Sequence, residues 1–468
     1  MLKLRRLFFL ASLYCFCCSI ADARVIYVSS SQGNDKNDGF STASPVSTIV
    51  MALTKGDSIL LKCGDVFYES VRLQHCYLSQ YANGRLPVIC GYKRVVAPRW
   101  EKVEDNIWKI SLSDGNYNGN TANALSSMAN NIGCLHDIIN DSIHGRKVRY
   151  RELLKHNWDI WQTDHFNARE TIPSDFDSLY LYLNGNPNKL CIEFSVGSSG
   201  VVMSNATVEG IRIEGFGGHG IAAKSNSTIR NCVIDAIGGK TQVGYEVFTS
   251  LGNGVEFYVS ENISECLVEN CKVSRCYDCG ITIQGSDCGQ ATPSNIIVRN
   301  NLIFDCCQGW EDFLRNDSNV VFKDCVFENN IILNSGKTSG FNYPPRFKYC
   351  HVLGNNFNGN KGMVIKDNIF VGGNFYCSGA YKGKYKSNVW KKNTCFIKRG
   401  EYILSNYVGT ADVIRIPTEK GNYGSLKKAT LAAISRYREM TGDMTTRFVI
   451  EKENKLNKRI AKFKKRYL

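Results

Sequence analysis

The sequence predicts an all-β chain: a right-handed parallel β-helix solenoid with an inserted β-rich module and a C-terminal helical cap and tail. Three observations predict it. One phrase recurs: residues 229–234 read Ile-Arg-Asn-Cys-Val-Ile, 268–273 Val-Glu-Asn-Cys-Lys-Val, 298–303 Val-Arg-Asn-Asn-Leu-Ile and 327–332 Phe-Glu-Asn-Asn-Ile-Ile. Its Cys/Asn position falls at 232, 271, 301 and 330, steps of 39, 30 and 29 residues. A period of this size marks stacked coils that bury one continuous core. A second phrase, glycine followed by alternating residues, opens 220–224, 254–258, 280–284, 309–313 and 340–344. Thirdly, no long stretch of 3.6-residue periodicity separates the units, so each unit is strand-sized.

The N-terminus carries the marks of a secretory signal. Lys3, Arg5 and Arg6 precede an apolar run from Leu7 to Ile20, and Ala21-Asp22-Ala23 offers a cleavage site. Residues 1–23 are therefore expected to be removed, giving an exported protein: periplasmic, cell-surface or extracellular. No stable transmembrane span is expected elsewhere.

Residues 24–97 read as the first strands and coils. The strand Val25-Ile-Tyr-Val28 leads to a polar loop with Gly33-Asn-Asp35 and Asn37-Asp-Gly39, then to Gly56-Asp-Ser-Ile-Leu-Leu61 and Gly64-Asp-Val-Phe67. The Asn/Asp loop lacks the terminal bidentate Glu of a calcium loop and reads as a turn. This opening resembles the N-terminal coil of secreted bacterial proteins of the pectin-lyase-like β-helix superfamily. The resemblance implies a carbohydrate-active β-helix but no particular activity. Gly218-His219-Gly220 matches a polygalacturonase tripeptide, yet the flanking aspartate motifs of that group are missing, so His219 reads as a rim histidine.

Residues 98–195 interrupt the repeat. They hold Trp100, Trp108, Trp158 and Trp161, and the segments 106–112 and 178–183 alternate like half-buried strands. They read as an inserted β-rich module with core tryptophans. The β-helix proper is expected over 196–398. Residues 399–468 are expected to form a helical cap, with apolar positions at Leu426, Leu431, Ile434 and Tyr437, and a basic tail.

Seventeen of the twenty cysteines follow the signal, several of them inside the repeat phrase. They read mostly as stacked core thiols, with no metal site. The net charge of +14 lies largely in the late chain. It does not argue for nucleic acid, and it suits an anionic glycan or an anionic surface.

Aligning the glycines gives the chemistry. The following position is apolar throughout, Ile221, Val255, Ile281, Trp310 and Phe341, and is predicted to face inward. The next faces outward: Ala222, Glu256, Thr282, Glu311 and Asn342. Two further along, also outward, stand Lys224, Tyr258, Gln284, Phe313 and Pro344. Glu256 and Glu311 would lie two strands apart, roughly 9–10 Å at the backbone, a spacing that suits an inverting glycosidase pair. The expected catalytic groups are Glu256 and Glu311, assisted by Asp278. Asn253, Gln284, Thr282, Trp310, Lys224 and Tyr258 are the expected substrate-binding residues. Both glutamates are expected to be exposed on the sheet face. The leading function is hydrolysis of a polysaccharide without a cofactor. One alternative is a polysaccharide lyase or uronate epimerase using Lys224, Lys240 or Arg275, which would add calcium; another is a non-catalytic glycan-binding or surface protein. Sugar, linkage and oligomeric state are not legible.

Overall fold

The structure, a computed structural model, describes residues 24–94, 100–112, 132–162, 178–196, 199–241, 251–285, 291–314, 321–336, 350–355, 362–371, 375–378, 389–398, 411–416 and the helical positions 435, 436 and 439. Residues 1–23, Phe341, Asn342, Pro344 and most of the expected helical cap lie outside them. Three parallel sheets of ten, eight and ten strands run along the solenoid. The eight-stranded sheet extends from Val71–Gln74 to Phe375–Ser378. It carries the candidate site and is called the site sheet below. Val71–Gln74 pairs in parallel register with Ser199–Ser204, so the first coils and the later ones form one stack across the insertion. The last described strand, Ala411–Ile416, pairs parallel with Asn393–Lys398. The parallel stack thus runs beyond residue 398, where the sequence reading ended it.

The repeat phrase is a strand–bend–strand corner. Asn231, Asn270, Asn300 and Asn329 occupy the left-handed region, with φ of 56°, 56°, 57° and 53°. Asparagine tolerates that conformation better than most residues. The next residue of each copy stacks inside the corner. Asn301 Oδ1 accepts from the Cys271 backbone N–H at 2.9 Å. Asn330 Oδ1 accepts from Asn301 N–H at 3.0 Å, and Asn368 and Asn393 continue the ladder. Cys232 and Cys271 stand above it as buried reduced thiols.

The inward column is as aligned for four members. Ile221, Val255, Ile281 and Trp310 are in register and fully buried. The fifth is Val352, not Phe341, because the next strand of the site sheet is Cys350–Asn355.

The inserted module holds two sheets. One has the order 146–147, 159–162, 178–182, 107–111, 101–104; the other pairs Ser142–His144, Leu135–Asp137, Ile192–Ser195 and Tyr92–Arg94 antiparallel. Trp100 is buried at 6.1 Å from the Phe194 ring, and Trp108 and Trp158 pack on the same cluster. The module meets the solenoid through buried charge. Arg275 Nε donates to Asp235 Oδ1 at 2.7 Å, and its Nη1 reaches Asp141 of the module at 2.9 Å. His136 lies 3.2 Å from Glu193 and stacks on Tyr92. Burial alone would lower the His136 pKa, but its bonds to Asp141 and Glu193 outweigh that and hold it up at about 9.

Candidate active site

Glycine governs how this site is built. A side chain on Gly254 would point into the core, 2.5 Å from Val273 Cγ1 and 2.5 Å from the Gly280 carbonyl oxygen. Gly220 and Gly280 likewise face Ile234 and Ile303 of the core. The residue after each glycine also faces inward. Two inward positions in succession invert the strand's alternation. The residue before the glycine is thereby turned to the same outer face as the residue two after it. This brings His219 and Asn253 to Glu256.

Around Glu256 the contacts are specific. Gln284 Nε2 donates a short hydrogen bond to its Oε1. Asn253 Nδ2 approaches the same oxygen at 3.4 Å. His219 Nε2 lies 3.3 Å from Oε2. The Asn253 backbone N–H donates to His219 Nδ1 at 3.3 Å, so Nδ1 accepts and the Nε2 proton points at the carboxylate. Asn253 Oδ1 in turn accepts from Cys279 N–H at 3.2 Å, locking its amide across two coils.

Glu256, Thr282 and Glu311 are neighbours in register on three successive strands. Thr282 Oγ1 donates to Glu311 Oε2 at 3.1 Å. Neither glutamate is exposed as the sequence reading expected: Glu256 is 6% and Glu311 5% accessible. The buried surroundings of these carboxylates on the outer face are called the recess below. Burial, then the Asp278 charge, push the Glu311 carboxyl well above the usual carboxylate range. Burial, then Glu256, raise Asp278 to about 7. Close carboxylates in a low-dielectric recess cannot all ionise at neutral pH.

Residues 184–293 match the family described as the right-handed β-helix region. The chain is a right-handed parallel β-helix protein. Among solved structures it is similar to the XylC–xylose complex, at 13% identity over 83% of this chain and 70% of that one, with a TM-score of 0.42. It is similar to a glycoside hydrolase at 10% identity, over 87% and 98% of the two chains, TM-score 0.42. It also resembles the lacto-N-biosidase of Eubacterium ramulus at 13% identity, over 84% and 68%, TM-score 0.40. No curated protein matches the chain. The strand register and the family match define the fold; these distant overlaps carry no chemistry over.

On this β-helix the expected site residues divide. Glu256, Asp278, Glu311, Asn253 and Gln284 converge. Thr282 is wholly buried and spends its hydroxyl on Glu311, so it positions that group and does not meet substrate. Trp310 is a correction: it is fully buried, its ring centroid 4.5 Å from that of Phe327, and it offers no platform to a sugar. The alignment that put it in the core excluded it from the face. Tyr258 is exposed beside the recess. Lys224 sits at the rim, 3.4 Å from Glu261 and 3.3 Å from Ser260 Oγ. Arg275, a candidate lyase base, is also corrected. Its strand, Lys272–Cys276, belongs to a different sheet, and its guanidinium is buried in the Asp235 pair, which holds it charged. His219, expected at the rim, faces Glu256. The glycine after it inverts the alternation, which the sequence alone does not reveal. Among the described residues no group of three acidic, histidine or cysteine side chains is placed to hold a metal ion, and no helix is long and apolar enough to cross a membrane.

Proposed function

We propose that the protein hydrolyses glycosidic bonds of a polysaccharide, with Glu311 as general acid and Glu256 as general base. The observation that carries this reading is the asymmetry of two carboxyls on one recessed face. Burial, then the Asp278 charge, raise Glu311 well above the usual carboxylate range, which favours its protonated form. Glu256 is held by the amide donors of Gln284 and Asn253 and faces the His219 Nε2. Unlike surroundings are how acid and base roles are divided between like residues. Their strands stand two spacings apart, about 9–10 Å at the backbone, which leaves room for a water.

In this scheme Glu311 delivers its proton to the glycosidic oxygen as the anomeric C–O bond breaks. Glu256 takes a proton from the water that attacks the opposite face of the sugar. The product carries inverted configuration, and the two protons exchange back through solvent, with Asp278 on the path. Among the described residues the bases the elimination reading would use are engaged: Arg275 lies on another sheet in its pair with Asp235, Lys224 is paired with Glu261, and Lys240 is buried with a partner of its own. We place the protein outside the cytoplasmic membrane after removal of residues 1–23, on the signal-like composition of that segment; mass spectrometry of the exported protein checks it.

The experiment is product analysis on polysaccharide substrates. New reducing ends without an unsaturated uronate are expected. An unsaturated product would replace hydrolysis by elimination, and binding without products would leave a glycan-binding protein.

A further inference from the structure

We infer that the recess takes a neutral, hydroxyl-rich glycan and rejects uronates, with Gln308 as an additional acceptor for a sugar hydroxyl. The inference rests on the reading of this face as a carbohydrate site and names the class of sugar.

Gln308 stands in register with Cys279, on the row that also holds His219 and Asn253. It immediately precedes the glycine of its own coil, as His219 and Asn253 do. Its backbone N–H donates to the Asp278 carbonyl at 2.9 Å, so it adjoins the carboxylate cluster. The residue is 7% accessible, yet its side-chain Oε1 has no hydrogen-bond partner. A buried acceptor without a donor is costly and is normally satisfied. A hydroxyl of a bound sugar would satisfy it.

The charge around it decides the class. Glu256, Asp278 and Glu311 share the face. Among the described residues the nearby basic groups are engaged: His219 faces Glu256, Lys224 is paired with Glu261, and Lys240 is buried with a partner of its own. A uronate would bring a further carboxylate beside Glu256, Asp278 and Glu311, where burial and neighbouring carboxylates already raise Asp278 and Glu311. A neutral sugar offers donors to every one of these acceptors.

The test uses the full mature protein and matched probes. Oligogalacturonate and oligoalginate are compared with their carboxyl-reduced counterparts, which keep the linkages and lose the charge. Neutral xylan, mannan, galactan and β-glucan oligosaccharides complete the panel. Calorimetric binding to at least one neutral probe is expected, with each uronate at least tenfold weaker than its reduced form. Equal or tighter binding of a uronate overturns the inference, as does failure of every neutral probe to bind. Gln308→Met, apolar and of similar length, is expected to weaken the neutral ligand about three- to tenfold and to leave Tm equal or raised. A lowered Tm with unchanged affinity would show a structural glutamine instead. Neutral binding without cleavage would remove the hydrolase and keep this inference; cleavage of a uronate chain into reducing ends would do the reverse.

Discussion

His219 Nε2 lies 3.3 Å from Glu256 Oε2, although the two residues sit on adjacent coils and opposite sides of a glycine. The contact exists because Gly220 and Gly254 invert the strand alternation. It gives Glu256 a fixed orientation, with the amide donors of Gln284 and Asn253 on its other oxygen. Glu256→Gln keeps the shape of the group and removes the base. It should lower turnover by about 10²–10⁴-fold with the cooperative melting transition retained. His219→Gln should lower kcat less than Glu256→Gln does and move the basic or acidic limb of the pH–rate profile. Steady-state kinetics across pH, with circular dichroism as the folding control, check both.

Much of the fold was legible in the sequence, and the reason is periodicity. Ile221, Val255, Ile281 and Trp310 align because each coil must bury one apolar residue at that point, and the stacked Cys232, Cys271, Asn301 and Asn330 align for the same reason. Loops between coils are not periodic, which is why Phe341 was chosen in place of Val352. Simple alternation found Glu256, Glu311 and Gln284. It could not find His219 or Gln308, since a glycine that breaks the alternation is indistinguishable in sequence from one that only fits a tight corner. Nor could it foresee that the glutamates are buried, because depth depends on the coils above and below. The ion pair of Arg275 with Asp235 joins residues 40 apart on neighbouring strands and has no local signature.

The raised carboxyls fix a pH dependence. Folded-state pKa values above the unfolded ones mean that the native state holds extra protons. The stability they contribute is complete below the unfolded value and is lost as pH rises through the folded value. For Asp278 the window runs from its ordinary value of 3.8 to about 7; for Glu311 it starts near 4.5 and extends upward. Tm is expected to fall across this range as pH rises. Asp278→Asn and Glu311→Gln should each flatten the fall, and neither should steepen it. Calorimetric scans from acid to mildly alkaline pH measure this.

Gly254→Ala tests the kink. The added methyl would meet Val273 Cγ1 and the Gly280 carbonyl oxygen at 2.5 Å, and the backbone atom cannot swing aside. Overpacking of this kind costs about 1–3 kcal/mol. Any protein that still folds should have displaced Glu256 and lost activity out of proportion to its stability. Chemical denaturation and kinetics on the same preparation separate the two effects.

The charged contact between module and solenoid should be strongly asymmetric. Asp235 receives Arg275, Arg212 and Ser274. Asp235→Ala strands a buried guanidinium and should cost about 3–5 kcal/mol. Asp141 is half-exposed, its side chain 46% accessible, so Asp141→Ala should cost under about 1 kcal/mol. Equal costs in urea titrations would mean that the module does not rest on this pair.

The asparagine ladder explains why cysteine and asparagine both occur at one position of the repeat. Asn301 Nδ2 donates to the Val268 carbonyl, and Cys271 Sγ reaches the Ile229 carbonyl in the equivalent place. The thiol can replace that donor, but it has no oxygen to accept the N–H of the coil before. Asn330 does both: its Nδ2 donates to Val298 O, and its Oδ1 accepts from the Asn301 backbone N–H and side-chain Nδ2. Asn330→Ala leaves those buried groups unpaired at about 1–3 kcal/mol for each group left without a partner, and should destabilise the chain by several kcal/mol. Asn330→Cys restores a donor toward Val298 and fills part of the space, so its loss should be smaller. Denaturation midpoints in the order wild type, Asn330→Cys, Asn330→Ala are expected. A reversed order of the two variants would show that volume, and not hydrogen bonding, sets the residue at this corner.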